Sequence, residues 1–252
     1  MIYYFAMGKM ILFAGKELPA GNDMASGATF QGKKVIATSL TAPETEESDN
    51  ASNAVIPVLW NRGSALSSRS VALKCENEGG IDEAVLIFDE FYLATKYREI
   101  NNNAQVLEEL IGSYQYLTQE LIARFLRTPE KSTKIAFLHK ANFSLCDGIT
   151  SSSIRSSGIE LSNPLVAAAA GAFKSYAENI AATLAETSPI IPLLISCEPT
   201  NELSKRDSAI SMWLCEYMDS IDNLKKPLSP KQKVSWIKAG AKNPTGFGIL
   251  GF

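Results

Sequence analysis

Residues 10–21 read Met10-Ile11-Leu12-Phe13-Ala14-Gly15-Lys16-Glu17-Leu18-Pro19-Ala20-Gly21. A short, unbroken apolar run meets one glycine, and a second glycine closes the stretch. Such a run suits a strand covered on both faces. The glycines mark a turn, and Asn22 opens a helical pattern beyond them. Open α/β folds that hold a phosphate at a helix N-terminus often begin this way. Pro19 departs from that plan. It lacks an N–H and fixes φ near about −65°, where a phosphate-cradling loop would carry its middle glycine. The stretch therefore points to a kept architecture and an altered chemistry.

The same alternation runs outward along the chain. Strand candidates are 9–14, 34–38, 54–59, 83–88, 134–139, 190–197 and 234–239. Several are nearly continuous apolar runs, such as Ala84-Val85-Leu86-Ile87-Phe88. Between them lie helical patterns. Residues 104–126 place Leu107, Leu110, Ile111, Tyr114, Leu117, Leu121, Ile122 and Phe125 on one stripe. Residues 165–186 do so with Phe173, Tyr176, Ala177, Ile180, Ala181 and Leu184. Residues 209–221 carry Ile210, Trp213, Leu214, Tyr217 and Met218. Strand–helix alternation of this kind predicts a three-layer, doubly wound, Rossmann-like parallel sheet of about seven strands. Residues 41–53 and 142–163 read as polar loops. The alternation continues past both, so residues 1–252 are expected to form one domain.

Composition narrows the function classes. The chain has 252 residues, 46% hydrophobic and 20% charged, with a net charge of −3. Lacking a basic surplus, it is not expected to bind nucleic acid. The four cysteines, Cys75, Cys146, Cys197 and Cys215, show no metal-ligand spacing, and His139 is the only histidine. No structural metal is expected. Scattered cysteines suit reduced thiols and a cytoplasmic location. The apolar start, residues 1–9, lacks a leading basic residue, so no signal peptide is expected. No apolar run approaches the ~20 residues that span a bilayer, so no membrane association is expected.

Over nearly its whole length the chain resembles the short-chain dehydrogenase/reductase family. That family opens with a strand, T-G-x-x-x-G-x-G and a helix; here Ala14-Gly15-x-x-x-Pro19-x-Gly21 aligns without a gap. Gly32-Lys33-Lys34-Val35-Ile36-Ala37-Thr38 is similar to the family's second strand and its approach. Ile81-Asp82-Glu83-Ala84-Val85-Leu86 is similar to the start of its fourth strand. Ile195-Ser196-Cys197-Glu198-Pro199 resembles its sixth strand and the proline after it. Each motif is weak alone, and their order carries the likeness.

The resemblance implies an NAD(P) groove. Gly15 and Gly21 would shape it, Asn61 and Arg62 would meet adenine or phosphate, and Ser204 would approach the nicotinamide. It also implies an Asn–Ser–Tyr–Lys set for proton transfer. The Asn position falls near Leu110, and the Ser position at His139 or Lys140. The Tyr falls at Ala169 or Ala170, while Lys174 keeps the Lys position. Tyr176 is on another side of that helix and reads as a core aromatic. The N-N-A-G that follows the fourth strand is here Phe88-Asp89-Glu90-Phe91, whose acids read as a solvated loop end. Asn61-Arg62 reads, without a cofactor, as a turn with an exposed arginine.

Two readings follow. In the first, the chain is a binding or assembly subunit without the family's usual reaction. The resemblance implies a homo-oligomer, dimer or tetramer, built through helices 104–126 and 165–186, or a hetero-oligomer with an active relative. In the second, the chain is an NAD(P)-dependent oxidoreductase with relocated groups, and His139, Lys140 and Lys174 are the candidates.

Overall fold

A computed structural model describes residues 8–41, 55–98, 103–186 and 188–242. In chain order the elements are β1 (Met10–Leu18), α1 (Asn22–Phe30), β2 (Lys34–Ser39), β3 (Val55–Leu59), α2 (Ala65–Asn77), β4 (Glu83–Asp89), α3 (Glu90–Lys96) and α4 (Asn103–Leu107). After a π-helical turn at Glu108–Gly112 come α5 (Ser113–Phe125), β5 (Thr133–Lys140), α6 (Leu145–Thr150), α7 (Ser152–Ser156) and α8 (Pro164–Ala185). The last are β6 (Ile190–Cys197), a 3₁₀ turn at Glu202–Lys205, α9 (Asp207–Asp222), α10 (Pro230–Lys233) and β7 (Trp236–Lys238).

The strands form one seven-stranded sheet in the order β3-β2-β1-β4-β5-β6-β7, and every neighbouring pair is parallel. Alternate residues leave opposite faces of a strand. Leu12, Leu86, Phe88 and Phe137 thus join one core beneath α2, α5 and α8. Ile11, Phe13, Val85 and Leu138 join the other beneath α1 and α9. This is the predicted three-layer, doubly wound α/β architecture. Its chain order reverses between β1 and β4, and in such sheets the crevice at that reversal, outside the carboxyl ends of the strands, is the usual binding place.

Local signals explain the helix ends. Ser64 caps α2 by accepting from the Ser67 N–H. Asn163 caps α8 likewise, with Pro164 in the first turn, where its missing N–H is harmless. The single helix expected over 104–126 is interrupted. The π-turn adds a residue to the repeat and rotates the stripe. Leu110, Tyr114, Leu117, Leu121 and Phe125 stay buried, while Leu107 and Ile111 turn outward. The segment 142–163, read as loop, contains the short helices α6 and α7. Most of the loop read over 41–53, and residues 1–7 of the apolar start, lie outside the described residues. No helix among the described residues is long and apolar enough to cross a membrane.

Candidate functional site

The crevice between β1 and β4 opens onto the stretch that begins with Gly15. The strand does not end at Ala14, as read from the sequence, but runs on to Leu18 with a register shift against β2 between Phe13 and Leu18. Gly15 has φ +110, and a Cβ there would strike the Ile87 carbonyl oxygen of β4. Only glycine fits so close to another backbone in that conformation. Gly21 is the N-cap of α1. Its N–H donates to the Glu17 carbonyl at 3.0 Å, and the Asn22 N–H donates to the Pro19 carbonyl at 3.0 Å. These amides are held inside the turn. Asp23 adds a carboxylate to the first turn of α1, where it accepts from the Ser208 N–H at 2.9 Å.

Arg62 corrects the expectation of an exposed turn arginine, because it is only 2% exposed. Its Nε donates to Glu17 Oε1 at 2.5 Å, and Nη2 donates to the Gly15 carbonyl. The guanidinium packs 5.1 Å from the Trp60 ring and 5.4 Å from the Tyr114 ring. Glu17, also buried, takes the Tyr92 hydroxyl at 2.5 Å and pairs with Lys96 at 3.4 Å on its other oxygen. Burial alone would raise the Glu17 carboxyl, but Arg62 and Lys96 hold it down at about 2. A buried ion pair, walled by aromatic rings, thus packs against the last residues of β1. Asn61, beside it, is exposed, and its side-chain oxygen accepts from the Gly63 N–H at 3.1 Å.

A second charge cluster lies next to the first. Lys16 Nζ contacts Asp89 Oδ2 at 2.6 Å and Asp207 Oδ2 at 2.5 Å. Lys140 Nζ contacts Asp207 Oδ1 at 2.6 Å and Asp89 at 3.6 Å. Burial would lower the Lys16 ammonium, yet Asp89 and Asp207 raise it. Two ammonium groups and two carboxylates balance. Lys16, Lys140 and Asp207 face a cleft of about 570 Å³ whose other wall includes Phe91, Phe143 and Ile159. Ser204 lines the same cleft, so the structure places it in one hollow with Lys140.

Asp89 and Glu90 are not a solvated loop end. Asp89 is 1% exposed, and it caps α3 by accepting from the Tyr92 N–H at 3.1 Å. Glu90 is the carboxylate that sequence proximity did not supply for His139: Oε1 lies 2.8 Å from His139 Nε2. Its other oxygen accepts from the Ser162 hydroxyl at 2.6 Å. Burial would raise the Glu90 carboxyl, and the bonds from His139 and Ser162 keep it below the ordinary range. Ser162 donates to Glu90, not to His139, so this trio holds the imidazole without activating a nucleophile.

Lys174 is exposed, with Nζ 5.6 Å from the centre of the Trp236 ring. That indole also meets the His139 ring edge-on at 6.5 Å, and its N–H donates to Glu178 at 2.6 Å. Trp236 therefore contacts two of the three residues expected to carry relocated chemistry, His139 and Lys174 but not Lys140. Leu110 and Ala169 are buried without exposure, and Ala170 nearly so. Phe88 is a core residue stacked 5.2 Å from Phe173. Tyr176 packs edge-on against Phe137 at 6.3 Å, as its place on the apolar stripe predicts.

One group that the sequence did not single out lies at the opposite, N-terminal ends of the strands. Oxygens of Glu83, Asp219 and Asp222 come within 4.8 Å of one another, close enough to hold a cation. Three ammonium groups are already there. Lys33 lies 3.0 Å from Glu83 and 2.8 Å from Asp219, Lys9 lies 2.5 Å from Asp222, and Lys134 lies 2.7 Å from Asp222. The charges cancel, and a divalent metal would have to displace the lysines. The available signal was a lysine or glutamate at the entry to several buried strands.

No family model matches the chain, and no curated protein matches it. Solved structures match it in shape. A short-chain dehydrogenase from Leptospira borgpetersenii serovar Hardjo-bovis, with bound NAD+, aligns with a TM-score of 0.54 at 16% identity, covering 90% of this chain and 83% of that one. A 3-ketoacyl-(acyl-carrier-protein) reductase from Brucella melitensis, complexed with NADH, gives 0.55 at 15% identity, covering 92% and 96%. A double mutant of a Serratia marcescens short-chain dehydrogenase/reductase gives 0.56 at 14% identity, covering 93% and 97%. The chain has the short-chain dehydrogenase/reductase fold. Within that fold, the crevice between β1 and β4 contains the Arg62–Glu17 pair, and the neighbouring cleft is floored by the Lys16–Asp89–Lys140–Asp207 cluster.

Proposed function

We propose that this protein uses the short-chain dehydrogenase/reductase fold as a binding or assembly subunit and does not perform the oxidoreductase reaction. The observation that supports this most is Arg62. Its guanidinium covers the Gly15 carbonyl and pairs with Glu17 in the place where a dinucleotide would need room and free backbone donors. A phosphate entering there would meet the Glu17 and Asp23 carboxylates, and it would have to break a buried ion pair. All three lysines that line the cleft already have a carboxylate: Lys16 and Lys140 meet Asp207, and Lys205 meets Glu202. At the Tyr position Ala169 and Ala170 have no proton to give.

Assembly is part of the same proposal. The apolar stripes of helices 104–126 and 165–186 pack into this chain's own core, so pairing has to use their opposite faces. Leu107, Ile111, Ala167, Ala168 and Gly171 are exposed there. A homo-oligomer, or a hetero-oligomer with an active relative, would close over them. All four cysteines are free thiols, which suits a reducing compartment such as the cytoplasm.

The test is calorimetric titration of the purified protein with NAD(H) and NADP(H), with light scattering on the same sample. Absence of binding at millimolar cofactor and a mass above the monomer are expected. Saturable cofactor binding would overturn the first part, and a monomer at all concentrations would overturn the homo-oligomer.

A further inference from the structure

The molecule has another hollow, at the N-terminal edge of the sheet and remote from the cleft. There α2 and α5 enclose a pocket of about 330 Å³, at the small end of ligand sites. Its floor is apolar and includes Leu121 and Phe125, with Cys75 beside them. Cys75 is 2% exposed, and burial pushes its thiol up to about 12, so it belongs to the apolar floor and is not a nucleophile. The mouth is basic. Arg124, Arg127 and Lys131 line it, with Glu76 opposite.

Arg124 is the residue that points to a ligand. Its side chain is only 10% exposed. Nη1 donates to the Glu120 carbonyl at 2.9 Å and to the Glu120 carboxylate at 2.5 Å. Nε lies 3.4 Å from Glu76 Oε1 but makes no hydrogen bond. A buried guanidinium N–H without an acceptor is costly, and a planar acceptor such as a carboxylate suits it. Arg127 reaches Glu76 at 3.5 Å and is otherwise open to solvent, and Lys131 pairs with Asp82 at 2.7 Å.

We propose that this pocket binds a small amphipathic anion, a carboxylate on a short alkyl or aryl body. The body would lie on Leu121 and Phe125, and the carboxylate would accept from Arg124 with Arg127 and Lys131 at the rim. The pocket's size favours a medium-length chain over a long one. Nothing in this proposal depends on whether the crevice at the other edge of the sheet takes a dinucleotide.

Octanoate is the probe, titrated into the full chain by calorimetry, with octanol as the tail without charge and butyrate as the charge without tail. One octanoate per chain is expected, with octanol and butyrate both much weaker. Arg124→Met should weaken octanoate roughly tenfold or more, as for a lost hydrogen bond to a charged group, and leave octanol unchanged. Should that variant fail to fold, the Arg127→Gln/Lys131→Gln double variant decides, because both side chains are at least 40% exposed. It should weaken octanoate several-fold. No octanoate binding at millimolar concentration, equal binding of octanol, several octanoates per chain, or no effect of the basic substitutions would each overturn the proposal.

Discussion

Replacing Arg62 by Met removes the cation that balances Glu17 while keeping an unbranched side chain between Trp60 and Tyr114. The cost can be worked from Glu17. Its carboxyl is lowered from 4.5 to about 2 in the folded chain. At 1.36 kcal/mol per pH unit, that gap corresponds to about 3 kcal/mol of stability at neutral pH. Removing one partner of a buried ion pair costs roughly 3–5 kcal/mol by experience elsewhere. Lys96, 3.4 Å from the second Glu17 oxygen, remains to share the charge, so the lower end applies. The expected result for Arg62→Met is therefore a loss of about 3 kcal/mol, read as a lower urea midpoint at unchanged slope. Glu17→Met/Arg62→Met, which removes both charges, should recover a large part of it. The sign with pH follows from the lowered carboxyl. The contribution is fully present above the unfolded value of 4.5 and is lost as pH falls toward about 2. A loss below about 1 kcal/mol for Arg62→Met, the range of an exposed pair, would refute the claim that this pair is buried and fills the crevice.

Other substitutions probe neighbouring parts of the account. Gly15→Ala places a methyl against the Ile87 carbonyl at φ +110, and should cost more than about 2 kcal/mol in the same unfolding assay. Gly171 has no heavy atom within 4 Å of an added Cβ. Gly171→Ala should therefore stabilise an isolated chain by about 0.8–1 kcal/mol. If α8 pairs closely with a second copy at this face, Gly171→Arg should shift the mass toward monomer in light scattering while the unfolding midpoint of the monomer holds. Lys174→Ala removes an exposed ammonium over Trp236 and should change stability by less than about 1 kcal/mol.

The fold was legible in the sequence because a sheet covered on both faces leaves a simple signature. Ala84-Val85-Leu86-Ile87-Phe88 can satisfy its apolar side chains only between two layers of helix, and the same holds for the runs near 34 and 190. The ends of elements were less legible, since Lys16 and Glu17 are charged residues inside a strand. Partners from the turn after β3 (Arg62), from α3 (Lys96), from β4 (Asp89) and from α9 (Asp207) neutralise them there. The site was hidden for the same reason. Glu17 and Arg62 are 45 residues apart, and His139 and Glu90 are 49 apart. Nothing local tells that Arg62 turns inward, or that Asp89 and Glu90, which read as a loop end, are buried acids with cations and donors waiting for them. Gly15 was singled out as a turn glycine, whereas the structure uses it inside β1, at φ +110, for a close approach to β4.

The central claim, that the crevice between β1 and β4 is occupied by the protein's own charges, is tested most directly by calorimetry with NAD(H) and NADP(H). The account predicts no heat of binding at millimolar cofactor for the native chain. Saturable binding of either cofactor at that concentration would contradict it.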